Sequence, residues 1–205
     1  MKVLMLNGSP KDNGNTAAAL AQMRAVLEEQ GIEVDYVHVG NLPIRGCTGC
    51  GSCFKNKKCA VDDIVNEVAA KMEACDGMVV GSPVYYASAN GTLIALLDRL
   101  FYSTRFDKRM KVGASVVVAR RGGCSAAFDQ LNKYFTISGM PLASGQYWNS
   151  VHGAIPGQAE EDGEGLQGMR TLANNMTFLM KSIALGKQAF GLPEKEKSVW
   201  TNFIR

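Results

Sequence analysis

Three short runs of apolar residues constrain the fold of this chain more than any other feature. They occupy residues 2–6, 77–81 and 112–119, and each is followed by a segment rich in glycine, serine or arginine and then by a helical pattern. A short apolar run without polar alternation is typical of a strand that is buried on both faces of a parallel sheet. Because parallel strands need crossover connections, the sequence predicts strands that alternate with helices.

Two weaker patterns complete the predicted sheet. Ile32, Val34 and Tyr36 alternate with charged residues, which is typical of a half-exposed strand at a sheet edge. We expect another weak strand within residues 142–148. An edge position for the second strand favours the strand order 2-1-3-4-5. We therefore predict an α/β fold, a doubly wound five-stranded parallel sheet with helices on both faces.

Length and charge limit the classes of protein to which the chain can belong. Its 205 residues are enough for one domain with its own core, which we expect over residues 1–186, followed by a tail over 187–205. The formal net charge of +3 is too small to indicate nucleic-acid binding. Glycine, proline and asparagine interrupt the longest uncharged stretch, 77–97, so we predict no membrane span, no targeting signal and a cytoplasmic protein.

Loops that follow the first, third and fourth predicted strands should emerge together at one edge of the sheet, where ligands of such folds bind. The first of these loops ends at a helix N-terminus, whose amide N–H groups and dipole favour an anion. We predict that this loop holds a phosphate, and that no dinucleotide is tightly bound because Gly-x-Gly-x-x-Gly is missing. An ordinary helix cap at Asn15 or Thr16 is the alternative. The candidate phosphate contacts are Ser9, Lys11, Gly14, Asn15 and Thr16.

The second and third loops carry residues suited to a flat aromatic ligand. Tyrosines next to a proline can stack on a ring, and two consecutive glycines permit close approach of the backbone. The adjacent arginines could balance negative charge on a reduced ring, or they could simply be solvated. The candidate contacts are Pro83, Val84, Tyr85, Tyr86 and Ala87 in the second loop, and Ala119, Arg120, Arg121, Gly122 and Gly123 in the third.

A cysteine-rich loop at residues 46–59, inserted after the second strand, is the other specific feature. It has the pattern Cys47-x2-Cys50-x2-Cys53-x5-Cys59. Thiolates at this spacing can wrap the corners of an iron–sulfur cluster, and the five residues before Cys59 could let it return to the same cluster. Closed zinc sites usually place two Cys-x2-Cys pairs far apart, which makes zinc less suitable. A thiol-rich loop without a metal is the remaining alternative.

The chain resembles the NAD(P)H-dependent FMN reductases of the flavodoxin-like superfamily, and its cysteine loop resembles that of the iron–sulfur flavoprotein branch. The departures are Lys11 where the family usually has arginine, Ala87 where glycine is frequent, and an arginine-rich third loop. The resemblance implies FMN bound by the three loops, and a [4Fe–4S] cluster on the four cysteines. It rests on the motifs Gly8-Ser9-Pro10-Lys11, Gly14-Asn15-Thr16, Ser82-Pro83-Val84-Tyr85 and Leu96-Leu97-Asp98-Arg99.

The same resemblance implies an oxidoreductase that transfers electrons from NAD(P)H, a transient donor, through FMN to a quinone-like acceptor or to the cluster. We name no catalytic side chain, because the flavin supplies the chemistry. A flavodoxin-like electron carrier is one alternative, although the net charge of +3 lacks the acidic character expected of it. A cluster-free quinone or azo reductase is the other. We expect a small-molecule or redox-protein electron partner.

Large apolar residues outside the predicted core indicate self-association. A monomer would expose them as one apolar patch, which soluble monomers rarely tolerate. We therefore expect a homodimer or a homotetramer. The residues are Tyr147, Trp148, Trp200 and Phe203.

Overall fold

Strands and helices alternate from Lys2 to Phe190 in a computed structural model. It describes residues 1–203, so that residues 204 and 205 of the predicted tail lie outside the described residues. The strands are β1 (Lys2–Asn7), β2 (Glu33–His38), β3 (Gly77–Tyr85), β4 (Ser88–Ala89), β5 (Val112–Ala119) and β6 (Ser150–His152). The helices are α1 (Asn15–Glu29), α2 (Ser52–Asn56), α3 (Ile64–Ala74), α4 (Gly91–Ser103), α5 (Cys124–Ile137) and α6 (Gly163–Phe190), with a 3-10 turn at Gln158–Glu160.

Five of these strands form a parallel sheet in the order β2-β1-β3-β5-β6. The two-residue β4 lies off this path and pairs antiparallel with β3. Without β4 in the count, the order is 2-1-3-4-5, and the flavodoxin-like α/β fold is confirmed. Edge strand β2 is only half-buried, as its alternating sequence predicted.

Each face of the sheet is covered by its own set of helices. On one face, α1 and α6 pack against β1 and β5, and Met169, Met176 and Met180 of α6 are fully or almost fully buried there. On the other face, α3, α4 and α5 bury a second apolar cluster. Because the five strands are parallel, their carboxyl ends lie together at one edge of the sheet, which the helices leave uncovered. Within residues 1–203, no helix is long and apolar enough to cross a bilayer.

The last strand and the start of the tail differ from the prediction. Strand β6 lies at Ser150–His152 rather than within 142–148, where only Leu142 forms an isolated bridge with Gly113. A strand of three residues with a single fully buried side chain, Val151, is too short to produce a recognisable apolar run. Helix α6 passes through Gly186 to Phe190, because one glycine lowers helix stability by only about 1 kcal/mol.

Candidate functional site

A cleft opens at the carboxyl edge of the sheet, where the predicted loops converge. It has a volume of about 250 Å³ and lies between the start of α1, the ends of β3 and β5, and the segment that follows β6. Its lining includes ten of the predicted contacts: Ser9, Lys11, Gly14, Asn15, Thr16, Pro83, Val84, Tyr85, Ala119 and Arg120. The other five predicted contacts do not line it: Tyr86, Ala87, Arg121, Gly122 and Gly123.

Hydrogen bonds within the protein hold the first loop in shape. The amide of Ser9 donates to Asn7 Oδ1 at 2.9 Å, and the amide of Lys11 donates to Ser9 Oγ at 3.2 Å. His38, at the end of β2, makes two contacts with the loop. Its Nε2 donates to the carbonyl of Ser9 at 2.6 Å, and its Nδ1 lies 2.7 Å from Asp12 Oδ1. The loop is therefore ordered by its own contacts.

The N-terminus of α1 is open toward the cleft. Its N-cap residue is Gly14, which has no side chain, and no side chain among the described residues takes a capping hydrogen bond. By contrast, Asp63, Asn90 and Asp162 cap α3, α4 and α6 with side-chain hydrogen bonds. The ordinary cap considered for Asn15 or Thr16 is thus not formed. Uncapped amides, with no acidic residue in the first turn of α1, are suited to a phosphate.

The second loop is shorter than predicted, because β3 continues to Tyr85 and pairs Pro83 with Val118 of β5. A two-residue turn then leads into β4. Its residues Tyr86 and Ala87 have φ values of 50° and 58°, which is the left-handed region where non-glycine residues are strained. The Tyr86 ring is fully exposed. This conformation accounts for the preference for glycine at the position of Ala87.

The glycine end of the third loop packs against the second loop, whereas its first residues, Ala119 and Arg120, line the cleft. Gly123 has φ +92°, and a Cβ atom there would lie 2.9 Å from Ala87 Cα. Only glycine therefore fits between the turn and the start of α5. Arg120 and Arg121 are both exposed, and neither forms an ion pair with any residue between 1 and 203. Of the two arginines, only Arg120 lines the cleft. Arg120 alone is therefore placed to balance negative charge on a reduced ring bound there.

A fourth wall of the cleft was missed from the sequence. The segment after β6 contributes Gly153, Ala154 and Pro156, and Val118 of β5 adds one more contact. The Asn15 side chain accepts a hydrogen bond from the Ala159 amide at 3.2 Å, which ties this segment to α1. The Gly-x-x-Pro-Gly pattern at 153–157 is typical of a loop. Because the last strand was predicted within 142–148, this loop was not placed at the carboxyl edge of the sheet.

The cysteine loop forms a second, separate cavity beside α4. All four predicted ligands, Cys47, Cys50, Cys53 and Cys59, line it. Cys47 and Cys50 are exposed, Cys53 is buried and Cys59 is half-buried. Gly49 and Gly51 adopt φ values of +66° and +69°, a left-handed conformation that glycine adopts readily. Among residues 1–203, no three cysteine, histidine or acidic side chains stand close enough to hold a metal ion.

Arg99 of α4 forms hydrogen bonds with residues at both ends of the cysteine loop. Its side chain is only 1% exposed. The guanidinium donates from Nε and Nη2 to Cys59 Sγ at 3.3 Å, and from Nη1 to the carbonyl of Arg45 at 3.2 Å. Two further bonds, of 2.6 and 2.8 Å, reach the carboxylate of Asp63, and another reaches the carbonyl of Val61. One buried side chain thus joins the residues that precede and follow the loop.

The pair of Arg99 and Asp63 is strongly coupled. Hydrogen bonding to Asp63 raises the pKa of Arg99. Burial tends to raise the pKa of Asp63, but the hydrogen bonds from Arg99 and from the Val65 amide, together with the charge of Arg99, hold that pKa below its ordinary value. Both groups are therefore charged near neutral pH, and the anchor of the loop is an ion pair.

The chemistry of this cavity fits a metal–sulfur centre. Four cysteine residues line one cavity, although among residues 1–203 their side chains are not yet close enough together to hold a metal ion, and soft thiolate ligands select iron–sulfur clusters or zinc. The hydroxyl of Ser103, which also lines the cavity, is buried and has no hydrogen-bond partner among the described residues. Buried hydroxyls are normally paired, so this one is free to donate to an acceptor bound in the cavity. The cavity and the cleft share no lining residue.

The two remaining cysteines lie elsewhere. Cys75 is buried in the second core, where burial raises the pKa of its thiol. Cys124, half-buried at the start of α5, lies 4.0 Å from His152 Nε2, and burial raises its pKa too. Neither residue lines the cysteine cavity or the cleft.

Comparison with known proteins adds a family to this geometry. The family described as NADPH-dependent FMN reductase matches residues 1–154. These residues include the start of α1 and the ends of β3 and β5, which line the cleft, and also the whole cysteine loop and all of α4.

Individual relatives extend the similarity over most of the chain. An iron–sulfur flavoprotein of Methanocaldococcus jannaschii is 31% identical over 191 residues, which cover 89% of this chain and 99% of the relative. One of Methanosarcina thermophila is 32% identical over 188 residues, covering 89% and 97%. Among solved structures, the NAD(P)H:quinone oxidoreductase from Methanothermobacter marburgensis has a TM-score of 0.67 at 16% identity, covering 86% and 97%. At that identity the last comparison shows the fold alone.

Proposed function

This chain belongs to the NADPH-dependent FMN reductase family, in its iron–sulfur flavoprotein branch, and we propose that it transfers electrons from NAD(P)H, through FMN at the carboxyl-edge cleft, to one [4Fe–4S] cluster. Membership of the family makes it an FMN-dependent oxidoreductase. One observation carries the finer proposal: Cys47, Cys50, Cys53 and Cys59 all line a single cavity.

In the cleft, the chain's own groups bind and orient the cofactor. FMN, when bound, supplies both hydride acceptance and release of electrons one or two at a time. The uncapped amides of α1, with Ser9 and Thr16, offer neutral donors to its phosphate. Tyr85 and Pro83 line the adjoining wall, and Arg120 provides a positive charge nearby. No side chain needs to exchange a proton with substrate for this reaction.

In the cysteine cavity, four thiolates would ligate the cluster. Four negative charges within thirteen residues repel each other unless a metal centre or protons neutralise them, and a cluster does so through its iron atoms. Lys55, Lys57 and Lys58 are exposed in the same loop and can offset the remaining negative charge. The name iron–sulfur flavoprotein, carried by the relatives from Methanocaldococcus and Methanosarcina, supports the same assignment.

Metal and sulfide analysis after anaerobic purification, with iron and sulfide supplied, tests the cluster. We expect four iron and four sulfide per chain. Cys53→Ser should lose most of the iron, whereas the matched control Cys75→Ser, which removes a buried thiol outside the cavity, should keep it. Fewer than one iron per chain in the unaltered protein, or stoichiometric zinc, would contradict the proposal. A cluster-free quinone reductase would then be the better description.

Rapid mixing tests the direction of electron flow. NADPH or NADH should bleach the flavin absorbance of the FMN-loaded protein within seconds, and the cluster absorbance should fall afterwards. If a reduced ferredoxin bleaches the flavin in milliseconds while NAD(P)H takes hours, the electron-carrier alternative is the correct one.

We also propose that the functional unit is a homodimer or a homotetramer. Tyr147 and Trp148 are 69% and 58% exposed, and their rings are in contact with centroids 4.9 Å apart and planes tilted by 57°. Such a pair is typical of an interface rather than of free surface. Light scattering of the FMN-loaded protein at micromolar concentration should give at least twice the mass of one chain, and a monomer mass would contradict this.

A further inference from the structure

We propose that Arg99 and Ser103, one turn apart on α4, donate hydrogen bonds to the sulfur atoms of the metal centre and thereby set its reduction potential. This inference rests on the proposed function, because the two residues would act on the sulfur atoms of the cluster that Cys47, Cys50, Cys53 and Cys59 would hold. It concerns two residues that supply no ligand.

The contact of Arg99 with a ligand is direct. Two of its nitrogen atoms lie 3.3 Å from Cys59 Sγ, which is hydrogen-bonding distance for a sulfur acceptor. Arg99 cannot rotate away, because its planar fork is also fixed by Asp63 and by the carbonyls of Arg45 and Val61. The sulfur of Cys59 therefore has a permanent cationic donor.

Ser103 provides the second, independent observation. The residue is only 3% exposed, its hydroxyl has no partner among residues 1–203, and it lines the cavity that the four cysteines line. A buried hydroxyl without a partner is unfavourable, and an acceptor held in the cavity would satisfy this one. Thiolate and sulfide atoms are the acceptors that a cluster would bring.

Donors of this kind favour the reduced state. Reduction adds a negative charge that is shared by the sulfur atoms, and N–H and O–H groups pointing at them stabilise this charge. Removing a donor should therefore make the reduction potential more negative without removing a ligand. A merely structural role for either residue would change stability and leave the potential where it is.

A redox titration of the reconstituted protein, followed by its electron paramagnetic resonance signal, tests the inference. Ser103→Ala should lower the ratio of reduced to oxidised cluster at a fixed potential by roughly threefold to tenfold, where tenfold corresponds to about 59 mV for one electron. Ser115→Ala is the matched control. It also removes a buried hydroxyl without a partner, but from β5 and outside the cavity, and its potential should equal that of the unaltered protein.

Arg99→Lys keeps a cation but loses the planar fork, and should also lower the potential. If Ser103→Ala and Arg99→Lys bind full iron and titrate like the unaltered protein, the inference is overturned while the proposed function stands. If the unaltered protein binds no iron, the proposed function fails and the inference with it. In the iron-free chain, we expect Cys59 to be alkylated faster in Arg99→Lys than in the unaltered protein, because Arg99 no longer covers the sulfur. Equal alkylation rates would contradict the contact between Arg99 and Cys59.

Discussion

The first loop and the cysteine loop both follow strands of the sheet, but they are stabilised in opposite ways. The first loop, residues 8–16, is held by side chains of Asn7, Ser9 and His38 and is partly buried. In the cysteine loop, residues 46–50 are all exposed, and none makes a hydrogen bond within residues 1–203. Its middle forms the short helix α2, and Arg99 holds the residues before and after the loop. One loop is therefore ordered by hydrogen bonds before its ligand arrives, whereas residues 46–50 of the other are not.

This difference follows from the chemistry of the two ligands. A phosphate needs neutral donors and open amides, which a chain can arrange while satisfying its own hydrogen bonds. Four thiolates brought together without a metal repel each other, so we expect residues 46–50 to take their final form only when the cluster binds. Helix α4 connects the two regions. Leu93 packs beside Gly8 of the first loop, and Arg99 follows six residues later, about 9 Å along the helix axis.

Removing donors from the preformed loop should have the largest effect. In the double variant with Ser9→Ala and Asn15→Ala, FMN should bind more weakly by about 1.5–3 kcal/mol for each charge-assisted hydrogen bond lost. A fluorescence titration measures this. Thr171→Ala, which removes an exposed hydroxyl of α6 outside the cleft, should leave the affinity unchanged. Equal FMN affinities in the unaltered protein, the double variant and the control would contradict the assignment of the phosphate site to this loop.

Breaking the anchor of the cysteine loop should have the next largest effect. Asp63→Ala leaves Arg99 buried without its carboxylate and should lower the free energy of unfolding by about 3–5 kcal/mol. Asp107→Ala, which breaks the exposed pair of Asp107 with Arg109, should cost less than about 1 kcal/mol. Urea unfolding of both variants measures the contrast. Similar losses would mean that the buried pair is not a special anchor.

The same anchor should respond to acid. The pKa of Asp63 is lowered in the folded chain, so its stabilising contribution is complete above about pH 4, its unfolded value, and disappears as pH falls through the folded pKa. The difference in urea midpoint between the unaltered protein and Asp63→Asn should therefore shrink between pH 6 and pH 3. A difference that stays constant over this range would assign the destabilisation to lost packing rather than to charge.

The turn beside the cleft should show the smallest effect. Ala87 is strained at φ 58°, by about 1–2 kcal/mol, but a glycine there loses more entropy on folding, by roughly 0.5–1 kcal/mol. Ala87→Gly should therefore raise the free energy of unfolding by up to about 1 kcal/mol. Ala127→Gly, in the middle of α5, should lower it, because its backbone is helical. Destabilisation in both variants would contradict the strain.

The sequence predicted the preformed region better than the other. Long apolar strands and a glycine-rich loop before a helix are local patterns, so β1, β3 and β5 and the position of the first loop followed from them. The turn at Tyr86 and Ala87 was missed because its positive φ values occur without glycine. The wall at 153–156 was missed because β6 has only one fully buried residue.

The role of Arg99 could not be read from local sequence at all. It was noted as part of a motif, but its partners Arg45, Cys59 and Asp63 lie 36 to 54 residues away. Their meeting depends on how α4 packs beneath the cysteine loop. Spacing alone identified the four cysteines as one set, yet it did not indicate that a buried cation and an unpaired hydroxyl share their cavity.

Hydrogen exchange of the cofactor-free chain tests the contrast between the two loops most directly. In the absence of FMN and iron, the amides of Ser9 and Lys11 should exchange slowly, because both are hydrogen-bonded, while the amides of residues 46–50 exchange at the rate of an unfolded peptide. Reconstitution with iron and sulfide should slow residues 46–50 by roughly tenfold or more and leave Ser9 and Lys11 unchanged. Protected amides at 46–50 in the iron-free chain, or rates that reconstitution leaves unaltered, would contradict this account.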